Sequence, residues 1–233
     1  MRPLGVRILF VGIVAWQGSV AHAAEVSFRA TPDGSGRMWA SVESLREQRW
    51  KHVIHQGADI SCGSAALATL LNFQFDDPVT EERIIQAILR RVDPEEVKRR
   101  GGFSLLDLKG VVSEFGYTVK GYRLTLDQLA ERRVPGLVPI TIRGFKHFVV
   151  FRGVVGDRVL LADPSFGNLR LERERFERHW AGIAMFLFKD GKSRRGSVLE
   201  AEREPTQMTE PDSGLRRFLE QPDFHTTISP EEF

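Results

Sequence analysis

Apolar positions recur at helical spacing between residues 64 and 133, then change phase. Ser64–Leu71 is a run of alanine and leucine, and Thr80–Arg91 places Ile84, Ile85, Ile88 and Leu89 three and four residues apart. Asp93-Pro94-Glu95-Glu96 has the form of a helix start, with Asp93 as cap, Pro94 at the first helical position and Glu96 completing a capping box. Ser104 opens a further helix running to Phe115 and stopped by Gly116; Thr125 with Gln128 opens a short one ending near Arg133. Beyond Pro135 the apolar residues form β-branched and aromatic stretches at Leu137–Ile142, Phe148–Arg152, Val159–Ala162 and Ile183–Phe188, separated by glycine turns. Residues 171–180 are densely charged and predict a helix crossing over the sheet. Helices first and an antiparallel sheet second is an α+β arrangement, not βαβ alternation.

Both ends depart from this pattern. Arg2 and Arg7 are the only charges before Glu25, Ile8–Ala15 is a short apolar stretch, and Ala21-His22-Ala23 offers small residues where a signal peptidase reads. Residues 1–23 therefore predict an export signal removed after Ala23, too short and too interrupted by Gln17-Gly18-Ser19 to span a membrane. The expected mature protein is periplasmic, with no integral membrane segment. Residues 24–49 read as a lead-in around Pro32-Asp33-Gly34-Ser35-Gly36, and residues 50–190 as one globular domain. Residues 191–233, charged and punctuated by Pro205, Pro211, Pro222 and Pro230, read as a flexible tail.

Charge narrows the partners. Without Arg2 and Arg7 the 33 basic residues fall to 31, equal to the 31 acidic ones. A near-neutral chain gives no support to nucleic acid as a partner, and no nucleotide-binding motif points to ATP. The expected partner is a peptide or an exported protein.

Chemistry centres on Cys62, the single cysteine, in an exported chain where it has no internal disulfide partner. It stands at the start of the Ser64–Leu71 helix, and a helix N-terminus favours thiolate over thiol. A cysteine nucleophile needs a base, a group to orient that base, and donors for the developing oxyanion. Among six histidines, His22 leaves with the signal and His225 lies in the tail, while His179 falls in the charged crossover helix. His52 and His55 precede the nucleophile helix too closely to face the sulfur. His147, opening the strand Phe148–Phe151, is best placed, and Asp163, where Pro164 ends the neighbouring strand, is placed to orient it. Simple two-residue pairing across Gly156-Asp157 would set these two side chains on opposite faces, so the assignment demands a three-residue loop or an equivalent bulge. Gln56, six residues before the cysteine, is the candidate oxyanion donor beside the Cys62 backbone N–H. One cysteine provides no zinc-type cluster, so neither metal nor cofactor is expected.

Gln56–Leu71, Gly102–Leu108 leading into Phe115-Gly116-Tyr117, Gly144–Arg152 and Val159–Gly167 occur in the order and spacing of a known family. Together they resemble the bacteriocin-processing, or double-glycine leader, cysteine peptidases of the papain-like clan. The resemblance implies a papain-like fold, with N-terminal helices carrying the nucleophile packed on a C-terminal antiparallel sheet. It implies Cys62 as nucleophile, His147 as base, Asp163 as orienting acid and Gln56 as oxyanion donor. Ser61 stands where many members carry an acidic residue. The implied activity is periplasmic endopeptidase action on an exported protein or peptide through an acyl-enzyme, in the setting of a secretion or functional-amyloid system. A peptidase-like module that holds a client without cutting it is the rival reading.

Overall fold

The computed structural model describes residues 24–29, 37–190 and 196–200. The expected export signal therefore lies outside the described residues, as does most of the expected tail. Two compact units divide the chain, the first ending at Ser44. In that unit β1 (Ala24–Arg29) pairs antiparallel with β2 (Arg37–Val42), so part of the expected lead-in is a two-stranded ribbon.

The second unit opens with a helical half: α1 (Leu45–Trp50), α2 (Cys62–Phe75), α3 (Glu81–Leu89), α4 (Pro94–Arg100) and α5 (Leu105–Glu114). Next come β3 (Thr118–Arg123), α6 (Leu126–Glu131), β4 (Gly136–Ile142), β5 (Phe145–Val155), β6 (Arg158–Asp163), β7 (Gly167–Glu172), α7 (Arg173–His179) and β8 (Ile183–Phe188). The helix starts follow the side chains that cap them. Thr80 accepts from the Arg83 N–H, and Ser104 with Asp107 and Thr125 with Gln128 form reciprocal capping boxes. Asp93 caps α4 by accepting from the Glu95 N–H, but the expected capping box is not formed, because Glu96 pairs with Arg99 and Arg100 instead.

Six strands form one antiparallel sheet in the order β3-β8-β4-β5-β6-β7. Two of them lay outside the sequence expectation. β3 precedes α6, so a strand stands among the helices, and β7 occupies residues 167–172, which shortens the expected crossover helix to Arg173–His179. The alternation Leu169, Leu171 inward and Asn168, Arg170 outward is the period-2 signal of a half-buried strand.

Both faces of the sheet are covered, which explains why its central strands are apolar without alternation. On one face Leu137, Phe148, Val150, Ala162, Met185 and Leu187 meet α2 and, beyond it, Ile84, Ile88, Leu108, Val111 and Val112. On the other, Val138, Val149, Phe151, Leu161 and Phe186 meet Leu126 and Leu129 of α6 and Phe176 and Trp180 at α7. Residues 62–71 of α2 are all buried, so this helix is enclosed around its whole circumference and fixed on every side.

Within the expected tail, residues 196–200 pack against the domain, with Leu199 fully buried in the α2-side core. Its apolar side chain supplies the burial that the surrounding composition lacks.

At the start of β7 the chain passes close to α1. Gly167 has φ of +78°, and a Cβ there would sit 2.4 Å from the Arg49 carbonyl oxygen. Gly167→Ala is therefore expected to cost about 2–3 kcal/mol, from the left-handed backbone and the clash together. Urea denaturation of the two proteins measures the difference.

Candidate active site

Cys62 is the first residue of α2, 8% exposed, with its side chain at the helix N-terminus beside the sheet end where β5 begins. Three segments converge there: the loop 56–61, the start of β5 and the turn after β6.

His147 and Asp163 meet because of an irregularity in β5. The β5–β6 hairpin turns through Gly156-Asp157 with Val155 opposite Arg158. Continued without interruption, that register would place Asp163 opposite Val150 and turn it away from His147. Instead the ladder shifts between Phe151 and Gly153, leaving Arg152 as an extra residue, and Gly153 takes a φ of +152° to accommodate the bulge. Beyond it Val150 faces Ala162, which brings Asp163 beside Val149 and onto the same side as His147. The sequence demanded an odd-length loop or a bulge; the structure supplies the bulge.

His147 Nε2 lies 3.0 Å from Asp163 Oδ1, with the two side chains 15% and 2% exposed. The same Oδ1 accepts from the Ser165 N–H at 2.7 Å and the Phe166 N–H at 3.2 Å, so the carboxylate is fixed by its own turn. With Nε2 engaged by Asp163, Nδ1 is the ring nitrogen left to interact with the Cys62 side chain. Burial alone would press the imidazole pKa down. The charge and hydrogen bond of Asp163, joined by the hydrogen bond and charge of Cys62, outweigh it and push the value up to about 10.

Gln56 is tied on three sides. Its backbone N–H donates to the Pro164 carbonyl at 3.0 Å, and its side-chain oxygen accepts from Ser165 Oγ at 2.7 Å. Its Nε2 donates to the Ala58 carbonyl at 2.9 Å and, at a long 3.5 Å, to that of Asp59. The amide thus belongs to the loop leading into Cys62, held to the Asp163 turn, and its weakest contact is the one to Asp59. The same loop is secured by Glu81, the buried first residue of α3, which accepts from the Gly57 N–H at 2.9 Å.

The other described histidines go elsewhere. His55 packs edge-on to Trp50, His52 lies against Phe73, and His179 bonds the Thr141 carbonyl through Nδ1. Among the described residues no group of three metal-ligating side chains comes together.

Sequence reasoning missed three contributors: Ser165, Glu81 and Arg152. The first two are ordinary surface residue types and carry no signal on their own. Arg152 did carry one: it is the single charge in the apolar run Phe148–Val155, between Phe151 and Gly153, and it is 3% exposed.

Because the folded value for His147 stands above that of a free imidazole, its protonation stabilises the fold fully below about pH 6.5, and that contribution is lost as pH rises through about 10. His147 is accordingly expected to stay protonated from pH 6 to 8 in an NMR titration of the ring nitrogens. Asp163→Asn removes the charge that raises it, so the His147 midpoint is expected to fall to about 6.5 or below.

Comparison with known proteins matches residues 50–192 to the Peptidase C39 family. The chain is 36% identical over 193 residues to the probable functional amyloid protease FapD of Pseudomonas aeruginosa, covering 83% of this chain and 84% of that protein. Among solved structures it is similar to a double glycine motif protease from an AMS/PCAT transporter in complex with the leader peptide. That match has 27% identity and a TM-score of 0.50, over 58% of this chain and 89% of the other. The peptidase domain of Streptococcus ComA, 19% identical over 59% of this chain and 98% of that one, shares the fold with a TM-score of 0.51. The chain belongs to the peptidase C39 family.

Proposed function

We propose that this cysteine peptidase is a periplasmic endopeptidase that cleaves an exported protein of a functional-amyloid system through an acyl-enzyme. The observation that supports the chemistry is the His147–Asp163 pair, 3.0 Å apart, whose imidazole pKa is also raised by Cys62 at the head of a buried helix. The likeness to FapD over most of both chains supports the substrate class, and the residue 1–23 pattern supports export.

In this reading protonated His147 stabilises the Cys62 thiolate. The sulfur attacks the substrate carbonyl carbon; a C–S bond forms, and the carbonyl π electrons move to oxygen. The backbone N–H of Cys62 and the Gln56 amide hold that oxygen, Nε2 exchanging its long contact with the Asp59 carbonyl for the oxyanion. On collapse the C–N bond breaks and the departing amine takes the proton of His147. Neutral His147 then accepts a proton from water, whose oxygen attacks the thioester. The C–S bond breaks, releasing the carboxylic product and restoring the thiolate–imidazolium pair. Asp163 keeps the ring oriented throughout. A module that only held its client would have no use for this machinery.

Cys62→Ala is expected to abolish cleavage of the amyloid subunit exported by the same cells, followed by mass spectrometry of the periplasmic products. Undiminished cleavage by that variant would sink the proposal. In the purified protein, iodoacetamide at pH 6 is expected to label Cys62 quickly, where an ordinary thiol with a pKa of about 8.5 reacts slowly. His147→Ala should remove that advantage. Gln56→Ala should spare the labelling, which forms no oxyanion, yet lower kcat for the amyloid subunit by about 100-fold.

A further inference from the structure

Arg152 is the residue that β5 holds out of its ladder, and its guanidinium does not point to solvent. Nε donates to the Leu199 carbonyl at 2.9 Å, Nη2 to the Val198 carbonyl at 3.1 Å and Nη1 to Asn168 Oδ1 at 2.7 Å. Asn168 passes the connection on, donating from Nδ2 to the carbonyls of Lys51 at 2.8 Å and Gln48 at 3.2 Å. One buried side chain thus joins the β5 bulge, β7, the α1 end of the domain and a segment of chain beyond β8. That segment has its own anchors. Leu199 is buried in the α2-side core, and the Glu200 carboxylate accepts from the backbone N–H groups of Gly196 and Ser197, closing a tight turn. Residues 196–200 lie past the stretch that matches the family, which ends at residue 192.

We propose that Arg152 and the docked Val198-Leu199 segment form a positioning element for the His147–Asp163 pair, holding the bulge on which their shared side of the sheet depends. The proposal rests on the reading of Cys62, His147 and Asp163 given above. Its physical basis is the cost of a buried guanidinium without acceptors. With the two carbonyls in place, residue 152 is fixed outside the ladder and the register beyond it is shifted by one. Without them, β5 and β6 regain regular pairing by a one-residue slip, and that slip carries Asp163 to the opposite face from His147. The carbonyls are available only because Leu199 pins the segment beneath them. A stretch of chain outside the matched domain therefore sets the geometry of a site to which it contributes no side chain.

The test compares the full chain with Arg152→Gln, Arg152→Lys and a chain ending at Lys192. For each, iodoacetamide labelling of Cys62 at pH 6 is followed by intact mass, the His147 ring nitrogens are titrated by NMR, and thermal melting is recorded. Arg152→Gln and the shortened chain are each expected to melt cooperatively but to label about tenfold more slowly, as for a misplaced reacting group. In both, the His147 midpoint should fall toward the free-imidazole value of about 6.5. Arg152→Lys, which keeps the charge but loses the fork, should resemble Arg152→Gln. Combining Arg152→Gln with the shortened chain should add less than about twofold, since both remove one interaction. Folded variants that label at the wild-type rate with His147 unchanged would overturn the proposal. Loss of cooperative melting would overturn it as well, since Arg152 would then be a general support of the fold. Should wild type and His147→Ala label alike, the catalytic reading itself fails, and the His147 titration alone decides the role of Arg152.

Discussion

The side of the sheet on which Asp163 emerges depends on a single extra residue in β5. Side chains alternate across a strand, so an antiparallel hairpin with a two-residue turn fixes the facing of every residue by parity alone. Across Gly156-Asp157 that parity sets His147 and Asp163 against each other, and the bulge at Arg152 reverses it. The pair 3.0 Å apart, the raised pKa of the imidazole and the turn that fixes Asp163 through Ser165 and Phe166 all follow from that reversal. Bulges re-aim side chains next to active sites in many sheets; here the re-aiming brings an imidazole and a carboxylate together.

Around that pair the fold makes the site rigid from two directions. From below, α2 is buried on all sides between the sheet and α3 and α5, so Cys62 cannot shift without moving the core. From the side, the loop 56–61 is tied to the Asp163 turn through Gln56 with Pro164 and Ser165, and to α3 through Gly57 and Glu81. The loop leading into Cys62 and the turn holding Asp163 therefore sit on one hydrogen-bonded unit, which matches the demand of the proposed acyl transfer for groups already in place when charge develops.

Much of this was legible along the chain. Helix starts at Asp93, Ser104 and Thr125 could be read from their capping side chains, because a cap is a contact between residues two or three apart. The four strands recognised from sequence are those buried on both faces, where apolar runs are continuous. β3, with Thr118, Lys120 and Arg123 exposed, and β7, with its alternating charges, gave a weaker signal and went unrecognised. The Leu199 anchor was hidden for a similar reason, being one apolar residue in a charged stretch.

By itself the sequence determined the types of residue available for chemistry and the elements that carry them: a lone cysteine at a helix start, a histidine opening a strand, an aspartate closing the next and a glutamine upstream. Local rules suffice for these, since capping, periodicity and turn chemistry act over a few neighbouring residues. Tertiary structure alone decided that His147 and Asp163 share a side of the sheet, that the Gln56 amide is bound into its own loop, and that Arg152 reaches the chain 46 and 47 residues further on. Pairing register and buried polar networks are settled by contacts between residues far apart in sequence. A shift of one residue, invisible to local pattern, is enough to exchange one face for the other.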